Sequence, residues 1–475
     1  MKARQVLLFI LGVFILLGAL WYAFPAKGVR LGGKTLKFAS REKAIQDRLQ
    51  RELDLDSLLN AMEQRFAMQQ DTLAFYKEFF FENPDRIYLP DDDYTFFDPV
   101  FHAFEEARDS GITARVAHYG DSQIEMDRIS CNLREALQER FGGLGTGMFP
   151  ALTTTPMASI SRSSSGSLAS YKMIADSTAR YASHYRYGPL AQVVGLFGPA
   201  TITLRPLTQK SALDHVRSFS SVSLLYGNAS EDFSAEVAAD TLQPQVRIDT
   251  LDGVTWTTWK FTQSLDKAVL RLNGRAEIYG VSTDGEAGVT VDNIPLRGST
   301  GVILTRIDTT MLKASYELDD TRLIILQFGG NFVPAAGSSK AISGYMDQVR
   351  DQIAWFQNAA PAAKVLFIGP SDMAISTEEG DIISYRYLPE LVDSLKAVSL
   401  RSGAAYWDLY RMMGGKNSMS QWVRRGYAGP DYVHFTPSGA KIVGETLSRS
   451  LITYHDFYDL RKTLPADAVE QSFGR

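Results

Sequence analysis

The spacing of apolar residues changes character several times along this chain, and each change predicts a different kind of element. From Val6 to Phe24, "VLLFILGVFILLGALWYAF" carries no charge. That is about 19 residues, roughly 29 Å as a helix, which just spans a bilayer. Ser40 to Glu82 has apolar residues at helical spacing without a Gly or Pro, and Asn83-Pro84 ends it. "LPDDDYTFFDP" reads as loop. Phe101 to Ser110 predicts a helix stopped by Gly111, and Ile112 to His118 a short apolar strand. Gln123 to Phe141 then predicts a helix with Ile124, Ile129, Leu133 and Leu137 on one side.

Near Pro150 the rhythm shortens to two. "VVGLFGPATITLRPL", "SFSSVSLLYGN", "PQVRIDTL", "GVTWTTWKFT" and "KAVLRLNGRAEIYGV" read as strands separated by turn residues, and their spacing fits a β-sandwich. After Gly280 strands and helices alternate again: "GVTVDNI", "TRLIILQFGGN", the helix "AISGYMDQVRDQIAWFQNA", "AKVLFIGPSDM", the helix "LPELVDSLKAVSLRSG", "AAYWDLY" and a closing helix from "TPSGAKIVGETL". Such alternation predicts a parallel sheet covered on both faces. The strand ending at His118 belongs to the same sheet, so the β module interrupts one α/β domain. The expected division is 1–26 membrane anchor or signal segment, 27–98 helical region, 99–150 with 281–462 the α/β domain, 151–280 the inserted β-sandwich, and 463–475 a tail.

Charge and composition narrow the function classes. The 475 residues hold 45% hydrophobic and 22% charged residues with a net charge of −5. This is a folded globular composition without the basic footprint of a nucleic-acid binder. Cys131 is the single cysteine, which excludes an intramolecular disulfide. No His/Cys/Asp cluster has metal-ligand spacing and no Gly-rich loop has phosphate-binding form, so neither metal nor cofactor is expected. Trp21 and Tyr22 suit an interfacial anchor, and no small-x-small cleavage site follows, so an uncleaved anchor leads over a cleaved signal. Lys27, Arg30, Lys34 and Lys37 after the span count against an outward-facing C-terminal part, although long domains often translocate regardless of charge.

The candidate chemistry sits in three loops that follow strands, where open α/β sheets place their sites. These are Gly120-Asp121-Ser122, Gly329-Gly330-Asn331, and Asp431-Tyr432-Val433-His434. Ser122 has two readings, a nucleophile or the N-cap of the following helix. Asp431, three residues before His434, can curl back to the imidazole and leave its other nitrogen free to take a serine proton. Asn331 and the Ser122 backbone N–H offer donors for an oxyanion. His118 and Asp121 read as structural. Asp372, at a strand end, has an even claim to lining the pocket, and Trp256 and Trp259 could stack on sugar rings or pack inside.

The set "GDS", "GGN" and "DYVH", in that order, resembles the SGNH or GDSL hydrolase superfamily. The resemblance covers Ile112 to Gly143 and about Gly280 to Tyr454, and implies a three-layer flavodoxin-like parallel sheet. It makes Ser122 the nucleophile, Asp431 and His434 the rest of the triad, and Asn331 an oxyanion donor. Gly298, in "VTVDNIPLRGSTG", best matches the family's remaining glycine block and would donate its N–H beside Ser122 and Asn331. Three positions depart from the pattern: Gln123 replaces the usual leucine, Phe332 a common aspartate, and Arg297 a common asparagine. The layout is similar to envelope polysaccharide O-acetylesterases with an interrupting β-sandwich like a carbohydrate-binding module. An acylated carbohydrate substrate and a membrane-anchored enzyme facing the periplasm or cell exterior are therefore expected. An O-acyltransferase with the same triad and a non-catalytic glycan-binding protein are the alternatives.

Overall fold

The computed structural model describes residues 3–25, 29–32, 34–36, 71–152, 156–174, 180–207, 213–239 and 242–473. Two compact units are present, Met1–Lys77 with Ser472–Gly474, and the remainder. The first holds a helix, Ala3–Ala23, and a small hairpin of Val29–Leu31 against Lys34–Leu36. Among the described residues no helix is long and apolar enough to cross a membrane. The expected transmembrane helix is thus not carried by them, although Phe9, Phe14, Ile15 and Leu16 of Ala3–Ala23 are exposed. Most of the helix expected over Ser40–Glu82 lies outside the described residues, and 71–82 are helical.

The second unit is built on a six-stranded sheet. Its strands are β1 (Ile87–Tyr88), β2 (Thr113–Gly120), β3 (Gly288–Pro295), β4 (Thr321–Gln327), β5 (Lys364–Ile368) and β6 (Ala405–Trp407). The spatial order is β3-β2-β4-β5-β6-β1, parallel throughout except for β1 on its edge. Taken alone, the parallel strands follow the flavodoxin-like order. β1, just before the expected loop, is a strand the sequence does not predict. The near-unbroken apolar runs of β2, β4 and β5 reflect burial on both faces.

Helices cover each face. On one side lie α1 (Asp98–Ser110), α2 (Ser130–Phe141) and α6 (Pro437–Thr463). On the other, α3 (Thr309–Leu318), α4 (Ser339–Ala359) and α5 (Leu388–Arg401) pack Leu312, Ile353, Phe356 and Leu395 against Tyr119, Ile324 and Phe367. The expectation of one helix over Gln123–Phe141 is corrected. A 3₁₀ turn, Ser122–Asp127, comes first, Met126 and Asp127 take positive φ, and α2 begins at Ser130. The reason is tertiary. Buried Asp127 accepts two hydrogen bonds from buried Arg134, at 2.8 and 3.0 Å, a pairing that a straight helix would break.

The inserted module is one connected antiparallel sheet of nine strands, where two separate facing sheets were expected. Two long strands make the connection. Gln192–Pro206 pairs first with Arg275–Ile278 and then with Ala268–Leu272, and Arg275–Asp284 changes from that partner to Gly145–Phe149. The sheet thus bends over its own core of Leu196, Ile202, Val222, Trp259, Leu270 and Ile278. Trp256 and Trp259 are both buried, so neither stacks on a sugar.

Where the module meets the main sheet, Arg115 of β2 is wholly buried among carboxylates. Its guanidinium donates to Asp292 at 2.7 Å on β3 and to Asp284 at 3.0 Å on the module, with Asp319 at 4.0 Å. Removing the cation while leaving the buried carboxylates costs about 3–5 kcal/mol. Arg115→Ala should lower the free energy of unfolding, read from urea titration, by that order, and an unchanged midpoint would show that the cluster does not hold the module.

Candidate active site

The three loops converge at the carboxyl ends of the parallel strands. Asp121 is the N-cap of the 3₁₀ turn, its Oδ1 accepting from Gln123 N at 2.9 Å, so Ser122 is not the cap. Ser122 instead occupies the first position of the turn, where its own N–H has no carbonyl within the turn to bond. Ser122 Oγ lies 2.8 Å from His434 Nε2, across 312 residues of sequence. His434 Nδ1 lies 2.8 Å from Asp431 Oδ2. Asp431 Oδ1 also accepts from the backbone N–H groups of Val433, at 3.0 Å, and His434, at 3.1 Å. Partial burial pushes the Asp431 carboxyl up, but these hydrogen bonds from His434 and Val433 outweigh it and leave it below its usual value.

The histidine loop is braced at its own turn and from β2. Gly429 N donates to His434 O at 2.8 Å, and Thr436 caps α6. Gln123 reaches over from the turn after β2. Its Nε2 donates to Val433 O at 2.7 Å and its Oε1 accepts from Phe435 N at 3.3 Å, so one carboxamide holds the backbone on both sides of His434. Sequence reasoning flagged Gln123 only as a departure from the pattern. Nothing else in the sequence signals its role.

The donor groups are unequal. Gly298 sits at φ +75°, a left-handed conformation that favours glycine, with open space where a side chain would be. Its N–H makes no backbone hydrogen bond among the described residues. Asn331 Nδ2 donates to Asp121 Oδ2 at 3.2 Å and Ser299 O at 3.0 Å, so both its protons are engaged. Burial pushes the Asp121 carboxyl up to about 6 against hydrogen bonds from Gln123 and Asn331 and the charge of His434. Phe332 turns away from the site and stacks on Tyr345, ring centroids 4.2 Å apart, and Tyr345 Oη donates to Thr300 O at 3.2 Å, bracing the Gly298 loop.

Ser122, Gly298, Asn331 and His434 line a cavity of ≈ 260 Å³, with Pro334, Pro370, Met373 and Leu409 on its apolar side. This is below the range of about 300–1,000 Å³ that holds drug-sized ligands and suits a short acyl group. Arg297 stands at the cavity with its side chain 79% exposed and one loose partner, Glu125, at 3.9 Å. Asp372 does not line the cavity. It is buried and accepts from Ser384 Oγ at 2.6 Å and Met419 N at 2.8 Å, tying two loops together.

His118 lies beneath the site, bonded to Gln327 at 3.0 Å and Ser130 at 2.9 Å, and burial pushes its imidazole down to about 4. It is neutral and structural at physiological pH. Among the described residues one group has ligand-like spacing, Glu105, His455 and Asp459. The chain's own cations meet it: Lys462 donates to Glu105 at 2.7 Å and Asp459 at 3.0 Å, and Arg140 to His455 at 3.1 Å.

No protein-family model matches the chain, and no curated protein is similar enough to count as a match. Among solved structures, the fold is similar to that of a peptidoglycan O-acetylesterase at a TM-score of 0.60. That alignment covers 77% of this chain and 96% of the other at 19% identity. An acetylxylan esterase from Geobacillus stearothermophilus aligns over 36% of this chain and 73% of its own, at 15% identity and a TM-score of 0.24. A family two carbohydrate esterase from Cellvibrio japonicus aligns over 63% and 99%, at 9% identity and 0.26. These two scores are too low to bear on the fold. The first likeness shows the fold alone: this chain is folded like that esterase over 77% of its length.

Replacing Gln123 by leucine would strand the Val433 carbonyl and the Phe435 N–H, at about 1–3 kcal/mol for each buried group left unpaired. Gln123→Leu is expected to lower turnover about tenfold or more through a displaced imidazole. The check is kcat beside the thermal midpoint: full turnover in a folded variant would show that the bracing is dispensable.

Proposed function

We propose that the protein is a serine esterase that removes O-acetyl groups from a cell-envelope or extracellular polysaccharide. The observation that carries the proposal is the unbroken chain Ser122 Oγ to His434 Nε2 and His434 Nδ1 to Asp431, opening on a small cavity at the sheet's carboxyl ends. The fold likeness to a peptidoglycan O-acetylesterase supports the substrate class.

Ser122 Oγ attacks the ester carbonyl while His434 Nε2 takes its proton, and the carbonyl electrons move onto oxygen. The N–H groups of Ser122 and Gly298 receive that oxyanion. Asn331 joins them by releasing Ser299 O or Asp121. Collapse expels the sugar oxygen, which takes the proton back from His434 and leaves an acyl-serine. Water then gives a proton to His434 and attacks the acyl carbon, and carboxylic acid departs as Ser122 recovers its proton.

Water rather than a sugar hydroxyl is favoured as acceptor by the openness of the site. The side chains of His434 and Asp431 are 41% and 50% exposed, whereas transfer requires water to be kept out. Hydrolysis of a chromogenic acetyl ester tests the proposal. Ser122→Ala should abolish acetate release, and Asn331→Ala should lower turnover on the order of a hundredfold, as loss of one oxyanion donor does. Activity surviving in Ser122→Ala would overturn it.

The proposed location is the outer face of the cytoplasmic membrane, and the apolar side chains exposed on Ala3–Ala23 support contact with lipid without showing a span or a side. Full-length protein should sediment with membranes, and a variant lacking residues 1–26 should not. Equal partition of the two would discard the anchor.

A further inference from the structure

Among the described residues, the cavity beside Ser122 is smaller than another one. A second cavity of ≈ 610 Å³ lies on the inserted module. Strand register explains what faces it. Gly195 pairs with Glu277 and with Ala169, Phe197 with Arg275, and Val193 with Tyr171. Side chains alternate along a strand, so Val193, Gly195 and Phe197 share one face with Tyr171, Arg275 and Glu277. The opposite face, through Val194, Leu196 and Ile278, forms the module's core.

This face is buried at one end, where Val193 joins the core with Tyr171 packed against it, and open at the other. Phe197 is 53% exposed. Its ring lies over Gly195, 2.8 Å from where a Cβ would stand, with the Tyr171 ring beside it. The cavity walls are held in place by Glu277. Its carboxylate accepts from Arg186 at 2.6 and 2.8 Å, from Asn228 at 3.1 Å and from Tyr279 at 2.9 Å, with His184 at 3.2 Å. Arg186 and His184 come from one wall and Asn228 from the other, so the cavity is shaped before any ligand arrives. The wall is also tied to the catalytic domain, because Asp308 N donates to Tyr185 O at 2.9 Å in the segment that continues from Gly298. Glu277 is saturated, but Arg275 makes no ion pair among the described residues.

We propose that this cavity is a glycan subsite for a carboxylated sugar, whose ring lies on Phe197 and Tyr171 and whose carboxylate pairs with Arg275. Apolar ring faces match aromatic side chains, and a free guanidinium at the aromatic edge selects an anion. Arg297 at the catalytic cavity carries charge of the same sign, as an anionic polymer serving both places requires. The inference rests on the proposed function for the identity of that polymer.

The test is calorimetric titration of the full-length protein, in mild detergent, with sugars that carry no acetyl ester and so cannot be turned over. One arm uses an oligogalacturonate, a second a muramic-acid disaccharide, and a neutral chitotetraose is the control. Saturable binding in either acidic arm, weakened on the order of tenfold in both Phe197→Ala and Arg275→Gln, is the expected result, and the arm that binds names the source of the carboxylate. Binding of chitotetraose equal to that of the acids, binding unaffected by both substitutions, or no binding in any arm would each overturn the subsite. Acetyl-ester hydrolysis by the same wild-type preparation is scored separately. A protein that hydrolyses but binds nothing loses only the subsite, and one that binds but does not hydrolyse loses only the esterase.

Discussion

The architecture depends on β3 finding its place beside β2 after the chain has left to build another sheet. The two strands are neighbours in the parallel sheet, yet the whole inserted module lies between them in sequence. Arg115 settles the return. Its one guanidinium reaches Asp292 on β3 and Asp284 on the module's last long strand, so strand pairing and module docking share a single buried cation. Asp292 does a second task by accepting from Met148 N at 2.7 Å, on the strand that opens the module. Gly147 is glycine for the same reason: at φ +79° a Cβ would stand 2.5 Å from the Asp292 carboxylate.

Three carboxylates around one guanidinium carry more negative charge than it can neutralise in a dry interior. Asp284 and Asp292 stand at hydrogen-bond distance from it and Asp319 at 4.0 Å. Burial pushes the Asp319 carboxyl up to about 7 even with Arg115 beside it. Ser282 donates to Asp284 at 2.6 Å and completes the set. A buried ionic cluster of this kind adds little net stability over a well-packed apolar one, but it is intolerant of a missing partner. That intolerance makes it a docking key.

Much of the site was legible because its residues must stand where strands end. Three short blocks name Ser122, Asn331 and the Asp431–His434 pair, and these do meet, although the last block follows the helix Ser418–Arg424 and not a strand as expected. What was hidden lay in tertiary pairing. Nothing in the helical spacing of Gln123 to Phe141 reveals that Asp127 turns inward to Arg134 and breaks the helix. Ile160–Lys172 was missed as a strand because serines on both sides leave it without an alternating pattern. The tryptophans misled for the opposite reason: aromatic residues on strands serve packing as readily as ligand contact, and only register says which face they take. The exposed ring belonged to Phe197, in a stretch where the sequence shows only a strand.

The openness of the proposed triad changes what each member would contribute. A carboxylate half in solvent has its field screened, so the charge of Asp431 adds less to the imidazolium than a buried partner would. Its direction matters more, and two backbone N–H groups on Oδ1 fix the carboxylate so that Oδ2 meets Nδ1. Direction in turn requires a loop that does not drift, and the loop is anchored to the serine's own turn through Gln123, the residue next to Ser122. Ser122 and His434 are therefore positioned by one short segment, and a displacement of that turn carries both together. The distance between them is set locally, even though the two residues stand 312 positions apart.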